Sequence, residues 1–261
     1  MRFKTHIGNC RPIRSSLLFG MVAILCTFPC FGEVIFPARE FPLNGPGVSP
    51  TAGDFNGDGK QDLIVARSDE ILVLLGRGDG TLAPPVKYRA SGAQTLSTIR
   101  VGDFNLDSVQ DLLVNDTYYG TIYLFLGHGD GTFATPFLVA NAHGSSLVVG
   151  DFTEDGALDF ATRTETGIAI SINNGMGGFL APMTVTSIGF IGHLASGDFN
   201  GDHHTDLIGL ESAFVGGQNI YGAEVFPGNG DGSFGQATTW IYPNFVQNLA
   251  IADLDGDDRP G

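Results

Sequence analysis

The sequence predicts an all-β fold built from repeated four-stranded sheets, and three observations predict it. An acidic motif recurs along the 261 residues, its leading aspartates at 54, 103, 151, 198 and 253, at intervals of 49, 48, 47 and 55. A glycine-rich motif travels with each of the first four. Only short apolar runs lie between the motifs, with no sustained 3.6-residue apolar period to mark a helix. Repetition on this scale governs the fold before local propensity does. Composition agrees: 38 glycines supply turns and 20 phenylalanines favour strands.

Residues 1–32 read as a secretory signal peptide. Arg2, Lys4, Arg11 and Arg14 are followed by the apolar run LLFGMVAILCTF and by Cys30-Phe31-Gly32, a small-x-small site before Glu33. An uncleaved anchor is the alternative, but the run is short of the ~20 apolar residues of a bilayer span. Leu25 and Pro29, preceding Cys26 and Cys30, argue against lipidation. All three cysteines (Cys10, Cys26, Cys30) fall inside the leader, so the mature chain is expected to rely on its core or on metal instead of disulfides. Lys plus Arg fall from 13 to 9 against 28 acids, a net charge of −19. Nucleic acid and anionic membrane surfaces are poor partners for that charge. No other segment is long and apolar enough to span a membrane, so a bacterial-type exported protein, secreted or at the cell surface, is expected.

Residues 33–261 hold the repeats, with cores starting near 53, 102, 150, 197 and 252. Four segments align: GDFNGDGKQDLIVA, GDFNLDSVQDLLVN, GDFTEDGALDFATR and GDFNGDHHTDLIGL; a fifth begins ADLDGDD. The companion motif reads ILVLLGRGDGTL, IYLFLGHGDGTF, IAISINNGMGGF and AEVFPGNGDGSF. Each repeat therefore has an apolar run before GDF, an acidic loop, two further apolar runs joined by a turn, a glycine turn, and a last run opening at Leu82, Phe133, Phe179 or Phe234. Four strands in ~48 residues is the arithmetic of a β-propeller blade. One such sheet cannot cover both its faces alone, so Phe55, Phe104, Phe152, Phe199 and the four turn-exit residues are expected to plug adjoining blades.

The acidic loops place oxygen at alternate positions. Loop one offers Asp54, Asn56, Asp58, the Lys60 carbonyl and Asp62. Loop two offers Asp103, Asn105, Asp107, the Val109 carbonyl and Asp111. Loop three offers Asp151, Thr153, Asp155, the Ala157 carbonyl and Asp159; loop four Asp198, Asn200, Asp202, the His204 carbonyl and Asp206. This is the D-x-[DN]-x-[DN] phase of a calcium loop, and a hard cation taking six to eight oxygens at about 2.4 Å suits it. Ca2+ is the expected cofactor. The loops are not EF-hands, because Val65 occupies the twelfth position and an apolar strand follows. Solvated Asx turns are the alternative, against which the same phase is kept four times. Positions one, five and nine account for 12 of the 28 acids, so much of the net charge is expected to be ligand charge. Gly59 stands at the sixth position of loop one, where loops two and four have Ser108 and His203; loop one is expected to bind tightest. The fifth loop (Asp253, Asp255, Asp257) ends at Gly261 without a ninth ligand.

The paired pattern GDFNGDGxxDL and LLGxGDGTF resembles the FG-GAP/VCBS-type repeats of secreted bacterial proteins and is similar to the calcium-binding blades of integrin α-subunit heads. The resemblance covers nearly all of residues 33–261. It implies a calcium-stabilised propeller, commonly seven-bladed, used for adhesion or ligand binding, and it implies no catalytic residues. Four complete repeats, with VIFPAREFP at 34–42 resembling the last strand of a preceding blade, point to an incomplete ring whose open edge can associate.

Other signals weigh little. Arg77-Gly78-Asp79 is a variable residue on a repeated Gly-Asp turn. His203-His204 are adjacent in a loop, and adjacent side chains rarely converge on one metal. Asn115-Asp116-Thr117 is a formal glycosylation sequon. No H-E-x-x-H, G-x-S-x-G or nucleophilic cysteine is present. A non-enzymatic module binding an extracellular protein or carbohydrate is expected. The alternatives are a polysaccharide lyase or other carbohydrate-active enzyme, and a structural piece of a longer propeller.

Overall fold

The computed structural model describes residues 48–141, 146–187, 189–215 and 218–244. The predicted leader at 1–32, the run at 34–42 and the fifth loop lie outside the described residues. The rest forms four antiparallel four-stranded sheets, each in chain order. Blade one comprises β1 (Val48–Gly53), β2 (Asp62–Arg67), β3 (Glu70–Leu74) and β4 (Val86–Arg89). Blade two comprises β5 (Leu96–Gly102), β6 (Asp111–Asp116), β7 (Thr121–Phe125) and β8 (Phe137–Asn141). Blade three comprises β9 (Leu147–Gly150), β10 (Asp159–Arg163), β11 (Gly167–Ser171) and β12 (Met183–Thr186). Blade four comprises β13 (Phe190–Gly197), β14 (Asp206–Val215), β15 (Gln218–Phe226) and β16 (Thr238–Tyr242). Among the described residues there is no helix. The first strand of each blade packs on the first strand of the next, β1 on β5, β5 on β9 and β9 on β13, and the array of described blades is not closed into a ring.

The stacking explains why the middle strands are apolar without alternation. Side chains of a strand point to opposite faces in turn. On β6, Leu112 and Val114 join Phe55, Ile64, Ile71 and Val73 of blade one, while Leu113 joins Leu147 and Phe160 of blade three. Both faces are covered, so DLLVND is buried throughout. The fourth strands have a neighbour on one edge only and are mostly exposed.

The aromatic plugs obey a single rule. The GDF phenylalanine of one blade meets the turn-exit phenylalanine of the next: Phe55 with Phe133 at 6.2 Å between ring centroids, Phe104 with Phe179 at 6.3 Å, and Phe152 with Phe234 at 5.6 Å. Tilted and edge-on approaches of this kind are the favoured aromatic geometry.

The turn-exit residues do not open the fourth strand, as the sequence pattern implied. Leu82, Phe133, Phe179 and Phe234 each form a single bridge back to Gly76, Gly127, Asn173 and Gly228, and the strand begins four residues later. Proline intervenes in three blades, at 84–85, 136 and 182. Lacking an N–H, it cannot continue a ladder.

Blade four departs from the others in its long β14–β15 hairpin. Glu211 and Glu224 lie diagonally on one face of it, Glu211 opposite Gly222 and Glu224 opposite Gly209. They are 7% and 2% exposed. Ser187 Oγ donates to Glu224 Oε2 at 2.5 Å and lies 3.4 Å from Glu211 Oε2. Burial, and then the neighbouring Glu224 charge, raise the Glu211 carboxyl above its ordinary value.

Two outcomes follow from this packing. Phe104 is wholly buried, so Phe104→Ala is expected to cost about 3–5 kcal/mol in a denaturant melt. Because Glu211 binds its proton more readily in the folded chain, its contribution is full below pH 4.5, the ordinary glutamate value, and is lost as pH rises through the raised value. Glu211→Gln is therefore expected to raise the unfolding midpoint at neutral pH and to change it less in acid. An equal shift at both would show that the carboxyl charge is not responsible.

Candidate functional site

Each acidic loop leaves the first strand of its blade at GDF and re-enters the sheet at the ninth-position aspartate. Within the loop the carboxylates first serve the backbone. Asp54 accepts N–H groups of Asp58 and Gly59 at 3.1 and 2.8 Å. Asp103 does so from Asp107 and Ser108, and Asp151 from Asp155 and Gly156. Asp198 accepts from Gly201 and His203. At the fifth position, Asp58, Asp107, Asp155 and Asp202 each hold the N–H of the seventh residue, Lys60, Val109, Ala157 and His204. Asn56, Asn105 and Asn200 accept the N–H of the fifth. Thr153 is the exception: its Oγ1 lies 3.5 Å from Asp159 Oδ2 instead.

The ninth-position aspartates are buried, and each spans two elements. Asp62 accepts Phe55 N–H at 2.9 Å on one oxygen and Gly76 N–H at 2.7 Å on the other. Asp111 takes Phe104 and Gly127, Asp159 takes Phe152 and Asn173, and Asp206 takes Phe199 and Gly228. The carboxylate thus ties the acidic loop to the glycine turn of its own blade. Burial raises the Asp111, Asp159 and Asp206 carboxyls despite these bonds, and the charges at positions one and five of the same loop raise them further. Three carboxylates per loop therefore share one electrostatic neighbourhood. Among the described residues no three His, Cys, Asp or Glu side chains are gathered into a ready-made metal cage.

The structure adds contacts that the motifs did not reveal. In blades two, three and four the last glycine of the glycine turn reaches the preceding blade: Gly131 donates to the Phe55 carbonyl at 2.9 Å, Gly177 to Phe104 and Gly232 to Phe152. The turn is a docking element as well as a reversal. At Gly76 a Cβ would lie 2.0 Å from the Gln61 carbonyl. Blade three carries Asn173 at that place, and its amide donates to the equivalent Leu158 carbonyl at 3.0 Å and across to Phe104 at 2.9 Å. Nothing in the repeat pattern distinguishes that asparagine from a degenerate glycine.

The lesser signals resolve into turn chemistry. Asp79, Asp130 and Asp231 accept the N–H and hydroxyl of Thr81, Thr132 and Ser233. Arg77-Gly78-Asp79 is the blade-one copy of that turn. His203 and His204 diverge, the first beside Asp198 and the second paired with Glu154 of the neighbouring loop. Asn115 is completely buried, so the sequon is closed in the folded chain.

Left-handed backbone occurs at the sixth position, at Gly59, Ser108, Gly156 and His203, and also at the fourth, at Gly57, Leu106, Glu154 and Gly201. Loop one meets both with glycine; loop two meets neither. Ser108 is exposed, and its N–H bond to Asp103 does not need the side chain. Ser108→Gly is expected to stabilise the protein by about 1 kcal/mol, read from a shift in denaturant midpoint. A destabilised variant would show that loop two is not strained there.

A model of the FG-GAP-like repeat matches residues 54–114, 103–162 and 151–209. No curated protein matches the chain by sequence. Among solved structures, the chain is similar to an Agrocybe aegerita lectin whose title describes recognition of non-reducing terminal N-acetylglucosamine. The identity is 19%, covering 82% of this chain and 73% of the lectin, with a TM-score of 0.49. It is similar to part of the Photorhabdus luminescens Tc holotoxin pore, at 16% identity over 74% of this chain and 9% of that one, TM-score 0.38. The V. cholerae biofilm matrix protein Bap1 matches at 17% identity over 74% of this chain and 39% of its own, TM-score 0.37. With the repeat model spanning most of the four blades just described, the chain belongs to the FG-GAP-like repeat family.

Proposed function

We propose that this protein is an exported, calcium-binding propeller module that presents its blades to an extracellular protein or carbohydrate in adhesion or ligand binding, and that it catalyses no reaction. The observation that carries the calcium reading is the oxygen set repeated at positions one, three, five, seven and nine of four loops, where the charges at positions one and five add to the burial that raises the ninth carboxyl in three of them. The donor set is all oxygen, as a hard cation requires. Each carboxylate oxygen keeps a second lone pair after accepting an N–H, so backbone bonding and ligation are compatible.

The residues that would hold the ion are those at positions one, three, five and nine, with the carbonyl of the seventh. A bound divalent cation supplies charge cancellation between strands that otherwise repel at the bend. Loop one has a partial substitute in Lys60, whose Nζ lies 2.8 Å from Asp58 and holds that carboxyl below its usual range. An exposed pair of this kind contributes little, because solvent screens it. Two left-handed non-glycine residues cost loop two at least as much, so loop one remains the expected tightest site.

The enzyme alternative has one observation to consider, the Glu211–Glu224 pair. Both carboxyls are closed off on the covered face of blade four, where a substrate has no access. They therefore belong to the packing rather than to a reaction.

Thermal unfolding with calcium and with a chelator tests the calcium reading. Binding to the folded state alone raises stability by about 2.7 kcal/mol at a hundredfold excess over Kd, and the midpoint should climb with calcium concentration. A midpoint indifferent to both additions would overturn it.

A further inference from the structure

Blade two differs from its neighbours in one respect that the repeat does not need. The interval from the ninth-position aspartate to the turn residue that it clamps is 14 residues in blades one and three and 16 in blade two. The two extra residues lie in the β6–β7 turn, where Thr117-Tyr118-Tyr119-Gly120 replaces the short Ser68-Asp69 of blade one. Both tyrosines are exposed, Tyr118 at 65% and Tyr119 at 48%. A longer turn that adds two aromatic rings in water has no stabilising purpose of its own, and loops on a rigid scaffold are where function is carried.

The turn is held rigidly. Asp116 is wholly buried, and its carboxylate accepts N–H groups from Gln94, Thr95 and Tyr118 at 2.9, 3.0 and 2.9 Å. That joins the turn to the segment linking blades one and two. Gln94 Nε2 donates to Tyr119 Oη at 3.0 Å, and Tyr118 packs edge-on against Tyr119 at 4.8 Å between centroids. The Tyr119 ring is thereby oriented before any ligand arrives.

Behind that ring lies a cleft of about 500 Å³, within the roughly 300–1,000 Å³ usual for small-ligand sites. Its other wall is Ser91-Gly92 of the linker, fixed by the Tyr123 hydroxyl donating to the Ser91 carbonyl at 3.3 Å. Gly92 is left-handed, at φ 92°, and stands directly beside that hydroxyl. Leu138 and Pro136 supply apolar surface, and Asn141 and Thr121 supply amide and hydroxyl groups. Thr121 Oγ1 is a buried oxygen without a hydrogen-bond partner among the described residues. Among the described residues no charged side chain lines the cleft, and the chain carries a net charge of −15. A neutral ligand with one apolar face and a rim of hydroxyls matches those walls.

We propose that the cleft between blade two and the linker that precedes it binds a neutral pyranose sugar, one face of its ring against Tyr119 and its hydroxyls toward Asn141 and Thr121. This rests on the ligand-binding part of the function proposed above and names its site and ligand class; it does not depend on calcium ligation. The stacked ring selects a saccharide over a flexible peptide, and the negative charge of the chain selects against uronic and sialic acids.

Calorimetric titration of the full chain tests it, with methyl glycosides of glucose, galactose, mannose and the N-acetylhexosamines, and with methyl glucuronide as the charged probe. At least one neutral glycoside should bind, more tightly than the glucuronide. Tyr119→Ala should weaken binding by about tenfold or more, and Tyr119→Phe, which keeps the ring, by much less. Thr121→Val, of equal shape, should weaken it several-fold. Tyr119 is half-exposed, so these variants should melt near the parent; should Tyr119→Ala fail to fold, Thr121→Val carries the test. If no neutral glycoside binds, or binding survives both Tyr119→Ala and Thr121→Val, the proposal is overturned. A sugar bound elsewhere would overturn this site and leave the module reading standing, while a calcium-insensitive melt would sink the metal reading and leave the cleft untouched.

Discussion

The structure depends on one buried carboxylate repeated four times. Asp62 and its counterparts Asp111, Asp159 and Asp206 are 0–1% exposed, and each accepts two backbone N–H groups from different elements. Hydrogen bonds to a charged acceptor are worth about 1.5–3 kcal/mol each, and a buried carboxylate without them would be strongly unfavourable. One N–H belongs to the GDF phenylalanine and the other to the glycine turn. Its first effect is to fix the phenylalanine backbone. The carbonyl of that residue then receives the Gly-Asp-Gly turn of the next blade, and its ring meets the next blade's turn-exit phenylalanine. A clamp within one blade thus sets the joint between two.

That arrangement places the acidic loop between two demands. Its aspartates at positions one and five close tight backbone turns, which a carboxylate does without any ion. The same aspartates crowd negative charge about a buried ninth carboxylate. The loop is thus structurally complete without an ion, and the calcium proposed for it would add stability to a scaffold already formed. Zinc-finger-type folding, where the metal is the core, is a different situation, because here three apolar clusters fill the spaces between the blades.

Variation among the blades falls where the clamp does not reach. The clamp fixes the acidic loop from GDF to the ninth aspartate and ties the start of the second strand to the end of the third, but it tolerates any length of hairpin between those two strands. Blade two uses that freedom for Thr117-Tyr118-Tyr119-Gly120, and blade four for the extended β14–β15 pair with its enclosed glutamates. The outer strands are free in the same way, and Trp240, Ile241 and Tyr242 of β16 are all exposed. A propeller of this kind keeps its interior alike from blade to blade and differentiates its rim.

Much of this was legible in the residues alone. The interval of the acidic motif, the paired glycine motif and the continuous apolar runs specified four-stranded blades, because side-chain periodicity and turn chemistry are local properties that a strand carries wherever it packs. Phe55, Phe104 and Phe152 were identifiable as plugs for the same reason, as was the left-handed turn at Gly59. What the sequence did not contain was direction across space. Asp62 looks like Asp54 in a motif, yet only one of the two is buried against a neighbouring turn. Asn173 looks like a lost glycine, yet its amide spans two blades. The fourth strands start four residues past Leu82, Phe133, Phe179 and Phe234, in blade four without any intervening proline, so the bridge at the glycine turn and not the apolar run sets where the strand begins. Tyr119 reads as an unattached exposed aromatic until Gln94 of the preceding linker is seen to donate to its hydroxyl and Tyr118 to pack against its ring. Those distinctions were decided by tertiary structure, because burial and hydrogen-bond partners are set by segments far apart in the chain.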